Sequence, residues 1–188
     1  MRVKIGPYPG RRTKNQERKI DVKIDKFDTW NMDHTLALII LPMLKQLKET
    51  KHGSPNTDDE DVPVELQSIS AKTKENEWDT DEFHHQRWDW ILDEMIWAFE
   101  QIVDEDSEQQ FYFGESDFRW QAFDKKGNKL GEPKETDDPT KIKGVSTYQM
   151  VKGPNDTFKY DIEAHQKHDE RIKKALCLFG RYYRCLWD

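Results

Sequence analysis

The segment from Asp81 to Val103, DEFHHQRWDWILDEMIWAFEQIV, constrains the fold more than any other stretch. Trp88, Ile91, Leu92, Met95, Phe99 and Ile102 recur at the spacing that puts side chains on one face of an α-helix. So heavy an apolar stripe has to be buried, and other elements must pack on it. The same helix carries a second face, Arg87, Trp90, Glu94 and Trp97, which core packing explains less easily.

Two partners for that stripe are legible. In TWNMDHTLALIILPMLKQLK, Leu36, Ile40, Met43, Leu44 and Leu47 follow helical spacing. Leu38, Ile39 and Leu41 make its first half apolar all round, which predicts burial on several sides. Thr29 or Asn31 can cap this helix, and Asp33 then meets the positive end of its dipole. Asp33 and His34 are adjacent and point about 100° apart on a helix, a poor arrangement for a catalytic pair. Pro42 is expected to kink the helix, and Gly53 to end it in the left-handed conformation. The third helix spans Asp161 to Trp187, with a stripe of Ile162, His165, Asp169, Ile172, Leu176, Phe179, Tyr183 and Leu186. The expected helices are residues 33–51, 82–102 and 162–186.

Alternating patterns predict strands. Val3–Ile5 and Ile20–Ile24 form a hairpin across the basic loop GPYPGRRTKNQER. Phe118, Trp120 and Ala122 alternate before the turn DKKGNKLG, and Val145–Val151 with Phe158–Tyr160 reads as a hairpin across KGPND. The expectation is a single α+β domain over residues 1–188, three main helices packed with antiparallel β-hairpins.

Apolar residues make up 35% of the chain and charged ones 36%, a balance that leans toward disorder. Seven Trp, nine Phe and six Tyr argue for a folded core, and suit an aromatic binding surface or subunit interface as well. The net charge of −7 disfavours duplex nucleic acid as a partner. Charge is uneven: Glu75 to Glu108 holds 13 acidic residues and one Arg, whereas His165 to Arg184 holds six Lys or Arg and two acids. Either an acidic helix packs beside a basic one, or the basic segment is a local anion site. Cys177 and Cys185 lie about 12 Å apart along one helix, too far for a disulfide. No apolar run reaches 18 residues and no signal peptide is visible, so the expectation is a cytosolic chain with no membrane partner.

His165 and Asp169, at i and i+4, suit a carboxylate that orients an imidazole. With His84, His85 and Glu94 they are the material for a metal site, although no HExxH or paired ExxH spacing supports one. The acidic loop NTDDEDVPVEL lacks calcium-loop spacing. On the second helix, Trp90 and Trp97 are placed to stack on bases, and Arg87, Arg171, Arg181 and Arg184 to hold phosphates, as Lys48, Lys51 and His52 also are. There is no Walker loop and no GxGxxG. Arg87, Trp90, Trp97, Arg171, Arg181 and Arg184 are therefore the expected ligand-binding residues, with no catalytic residue, metal or cofactor expected.

The segments MRVKIGPYPG, KIDKFDTWNMDHTLALIILPMLKQLKETKHGSPNTDDEDVP, KENEWDTDEFHHQRWDWILDEMIWAFEQ and ERIKKALCLFGRYYRCLWD resemble a family of small uncharacterised proteins encoded by tailed bacteriophages. The resemblance covers most of the chain and brings no catalytic motif with it. It implies an accessory protein of the host cytoplasm that acts against antiviral defence. Its expected action is to bind and sequester a nucleotide-derived immune signal, a cyclic dinucleotide or an ADP-ribose derivative. Such a protein is expected to be a homo-oligomer. The alternatives are a metal-dependent phosphoesterase or nuclease built on His165 and Asp169, and an inhibitor that binds a host protein through an acidic surface.

Overall fold

The computed structural model describes residues 1–6, 18–134 and 143–187. The order is β1 (Arg2–Ile5), β2 (Ile20–Lys23), α1 (Met32–Thr50), α2 (His84–Val103), β3 (Tyr112–Phe113), β4 (Phe118–Phe123), β5 (Lys129–Lys134), β6 (Thr147–Lys152), β7 (Lys159–Tyr160) and α3 (Ile162–Arg181). The class is α+β, as expected. The strands form three small antiparallel sheets: β1 with β2, β3 with β7, and β5-β4-β6. Most of the basic loop after β1, and much of the loop after β5, lies outside the described residues. Among the described residues no helix is long and apolar enough to cross a membrane. The chain divides into two compact units, Met1–Glu105 with Arg171–Asp188, and Asp106–Glu170.

In the first unit α2 forms the centre of the core. Trp88, Ile91, Leu92 and Met95 are its largest fully buried side chains. Each contributes about 1.5–3 kcal/mol by leaving water. Ala37 and Leu44 of α1, Val62, Leu178 and Tyr182 close around them. Phe99 meets Phe179 edge-on at 5.1 Å, and Trp88 meets Tyr182 at 5.7 Å. The acidic excess of α2 faces lysines of the antiparallel α1: Lys51 bonds Asp89 at 2.8 Å, Lys48 bonds Asp93, and Lys45 bonds Glu100 at 2.6 Å. These pairs are partly to largely exposed and contribute about 0–1 kcal/mol each. They orient the helices more than they stabilise them.

Several expectations are corrected. Only Ala37 and Leu44 of α1 are fully buried, while Leu38 is 53% exposed, so α1 has one buried side rather than several. The helix ends at Thr50 and leaves through an extended Lys51 (φ −56°, ψ 138°), whose N–H still bonds the Leu47 carbonyl at 2.9 Å. Gly53 is not left-handed. On the second half of α3 and just beyond its end the buried positions are Ala175, Leu178 and Tyr182, while Leu176 and Tyr183 are exposed. The stripe is rotated because the ring of Tyr182, not Tyr183, packs on Trp88. The α-helix stops at Arg181, and a tighter turn, Tyr183–Cys185, follows.

Helix α1 continues through Pro42, which leaves the Leu38 carbonyl without its helical donor. Pro42→Ala is expected to fold normally and to shift stability by only about 1 kcal/mol in either direction in urea denaturation.

In the second unit β4 is the central strand of its sheet, paired with β5 and β6. The hairpin expected across KGPND does not form, since β6 pairs with β4 and β7 with β3. Asp117 captures the turn instead. Its carbonyl accepts from Gly153 N at 2.8 Å, its carboxylate accepts from Asn155 N at 3.0 Å, and its own N–H donates to Asp156 at 3.2 Å.

Candidate functional site

The second face of α2 opens onto a groove of about 760 Å³ in the first unit. Trp90 and Glu94 form one wall, Arg171, Lys174, Leu178 and Arg181 of α3 another, and Glu60–Pro63 the end. The α3 residues are spaced three and four apart, which puts them on one face of that helix. The volume falls within the roughly 300–1,000 Å³ typical of small-molecule sites.

Arg171 spans two of the residues singled out on α2. Its Nε and Nη2 donate to the Glu94 carboxylate at 3.0 and 2.7 Å. Its guanidinium carbon stands 3.8 Å from the Trp97 ring centroid, a cation–π stack. Arg181 donates through Nη1 to Glu60 at 2.9 Å and to both Asp61 oxygens at 2.6 and 2.7 Å. The Asp61 and Glu60 carboxylates hold that guanidinium above its ordinary pKa, so it is a fixed cation.

The acidic loop is organised rather than merely solvated. The Tyr182 hydroxyl donates to Asp61 at 2.7 Å and accepts from the Asp58 N–H at 3.0 Å. Burial, together with the bond to Asp61, pushes that phenol up to about 12. Asp59 accepts from the N–H and hydroxyl of Ser68, and Gln67 donates to the carbonyls of Asp59 and Val62. Short helical turns at Asp59–Asp61, Val64–Leu66 and Ser68–Ser70 result. Tyr182→Phe keeps the ring contact with Trp88 and removes both hydroxyl bonds. It is expected to cost about 1–3 kcal/mol in urea denaturation.

Of the six expected ligand-binding residues, Trp90, Arg171 and Arg181 line the groove, and Trp97 backs Arg171. Arg87 lies elsewhere. It is 5% exposed, bonds both Asp81 oxygens at 2.7 and 2.8 Å, and donates to the Leu66 carbonyl at 2.8 Å. Arg184 is exposed on the Tyr183–Cys185 turn, outside the groove. Sequence reasoning missed Lys173 and Lys174, which line the groove, and the carboxylates Glu60 and Asp61. With Glu94, the groove carries four cations and three carboxylates.

The histidines are engaged locally. His84 Nε2 lies 3.1 Å from the Ser54 carbonyl oxygen, and His85 Nδ1 lies 3.0 Å from Ser54 Oγ. In the second unit, His165 Nδ1 is hydrogen-bonded with the Tyr160 hydroxyl, and Nε2 stands 3.7 Å from both Glu108 and Asp169. That spacing is too long for a hydrogen bond. Among the described residues, no three His, Cys, Asp or Glu side chains are grouped as a metal ion requires. No protein-family model, no curated protein and no solved structure matches the chain.

Proposed function

We propose that the chain is a nucleotide-binding protein that holds its ligand in the groove between α2, α3 and Glu60–Pro63 and releases it unchanged. One observation carries the reading: Trp90, Arg171 and Arg181, singled out for base stacking and phosphate recognition, line one groove. An indole stacked on a base contributes about 1–3 kcal/mol. Arg171 Nη1 and Arg181 Nε and Nη2 have no hydrogen-bond partner among the described residues, so donors remain for phosphate. The carboxylates that hold the two guanidiniums also partly offset their charge. Lys173 and Lys174, which have no ion-pair partner among the described residues, supply the surplus.

On the resemblance to phage proteins, the ligand is a cyclic dinucleotide or an ADP-ribose derivative made by a host defence system, and sequestration is the function. The reading includes a homo-oligomer. The surface available for it is the apolar groove between Met43 and Leu47 of α1 and Phe179, Tyr183 and Leu186. Met43 and Tyr183 there are 65% and 64% exposed.

Sequestration is tested by incubating the protein with each nucleotide, removing unbound ligand, denaturing by heat and analysing what is released. Intact nucleotide is expected, and a hydrolysed product would replace the reading with an enzymatic one.

A further inference from the structure

We infer that the open face of the β5-β4-β6 sheet in the second unit binds single-stranded nucleic acid. Phe118 and Trp120 alternate on β4 and so project from the same face, about 7 Å apart. They are 52% and 37% exposed. Residues directly across an antiparallel ladder share a face. Lys152 of β6 is opposite Phe118, and Met150 of β6 and Lys134 of β5 flank Trp120 on its two sides. Two solvent-facing rings thus lie between two lysines. Gln121, on the opposite face, is 3% exposed and donates to the Gly131 carbonyl at 3.1 Å. The ring-bearing face is open at Phe118 and Trp120 and closed at Ala122, which is 1% exposed.

Charge selects the occupant. The stretches Asp117–Lys134 and Lys143–Asp156 hold seven Lys or Arg and four carboxylates, in a chain whose net charge is −7. Lys134 and Lys152 are on the ring face, whereas Arg119, paired with Asp117, and Lys129 are on the other. One of those carboxylates, Asp124, is turned into the β4–β5 hairpin, where it accepts from the N–H groups of Lys126 and Asn128 at 2.7 and 2.9 Å. Lys152 bonds Asp156 at 3.0 Å, yet its side chain stays 74% exposed. A local basic field around exposed rings is what unpaired bases on a phosphate chain require: the rings stack bases and the lysines track phosphates. A duplex keeps its bases stacked inside and offers the rings nothing. This site is separate from the groove of the first unit and does not rest on it.

The test is fluorescence anisotropy with labelled oligo(dT), oligo(U) and a duplex, over a salt series. Both single strands are expected to bind in preference to the duplex, and affinity is expected to fall steeply with salt. A strong preference between the two strands would report contact with the 2′-hydroxyl or with the thymine methyl, within the same proposal. Phe118→Ala and Trp120→Ala are each expected to weaken binding by about five- to a hundredfold. Should Trp120→Ala fail to fold, the exposed Phe118→Ala and Lys134→Glu variants carry the test. Lys134→Glu is expected to weaken binding and flatten the salt dependence, whereas Lys23→Glu, on the β1–β2 hairpin, leaves both unchanged. The inference is overturned by no binding at low salt, by equal binding to duplex, or by full binding in Phe118→Ala and Lys134→Glu. Concentration-dependent self-association that disappears in Phe118→Ala, without oligonucleotide binding, would overturn it too and assign the face to a second copy of the chain.

Discussion

Arg87→Ala is expected to lower the unfolding free energy by about 3–5 kcal/mol, because it leaves a buried carboxylate with no counter-charge. The side chains of Arg87 and Asp81 are only 6% and 5% exposed, and Arg87 Nη2 donates to both Asp81 oxygens. The third bond, to the Leu66 carbonyl, ties the loop over α2, so the loop is expected to loosen as well. The double replacement Arg87→Met with Asp81→Leu removes both charges together and is expected to recover much of the loss. Urea denaturation of the two variants separates a broken ion pair from lost packing.

The pair also sets an acid dependence. Burial pushes the Asp81 carboxyl up, but bonds from the Arg87 guanidinium and the Phe83 N–H outweigh that and hold it below the usual carboxylate range. A depressed folded-state pKa contributes stability that is present above the unfolded value and lost as pH falls through the folded one. Asp81 therefore supports the fold fully above about pH 4 and progressively less below it. In Asp81→Asn that part of the acid sensitivity should be missing from denaturation midpoints measured across this range.

Trp88→Ala is the other large effect, with an expected cost of about 3–5 kcal/mol. Trp88 is 1% exposed and sits where α2 meets Tyr182. Its removal leaves a cavity that the surrounding Ile91, Leu92 and Met95 side chains fill only in part. Trp90, two residues along the same helix, is half-buried at the groove. Trp90→Ala should therefore cost distinctly less stability than Trp88→Ala in matched thermal or urea unfolding. Equal losses would show that Trp90 is core rather than lining.

The helices were legible because their apolar periodicity is long: α2 alone sets Trp88, Ile91, Leu92, Met95 and Phe99 in the core, as its stripe predicts. Periodicity fixes a helix and leaves its rotation open by about one residue. That is why Tyr182 rather than Tyr183 faces inward. Strand pairing was less legible, because partner choice depends on contacts distant in sequence; Asp117, thirty-six residues before Gly153, decides what KGPND does. At the groove, Arg171, Lys174, Leu178 and Arg181 follow helical spacing, so the basic wall was present in the sequence. Composition alone did not separate Arg87, which is used up inside the core, from Arg171, which stacks on Trp97 at the groove. The difference lies in Asp81, six residues before Arg87, which a search for phosphate-binding arginines passes over.

The account turns on whether Trp90, Arg171 and Arg181 act together on one ligand. Isothermal titration calorimetry of the folded wild type, Trp90→Ala, Arg171→Ala and Arg181→Ala with cyclic dinucleotides and ADP-ribose derivatives tests this most directly. The account predicts binding of at least one of these nucleotides, weakened by about 1–3 kcal/mol when Trp90 is removed and by a comparable amount for each arginine. Absence of binding at high micromolar protein, or binding that none of the three substitutions weakens, would contradict it.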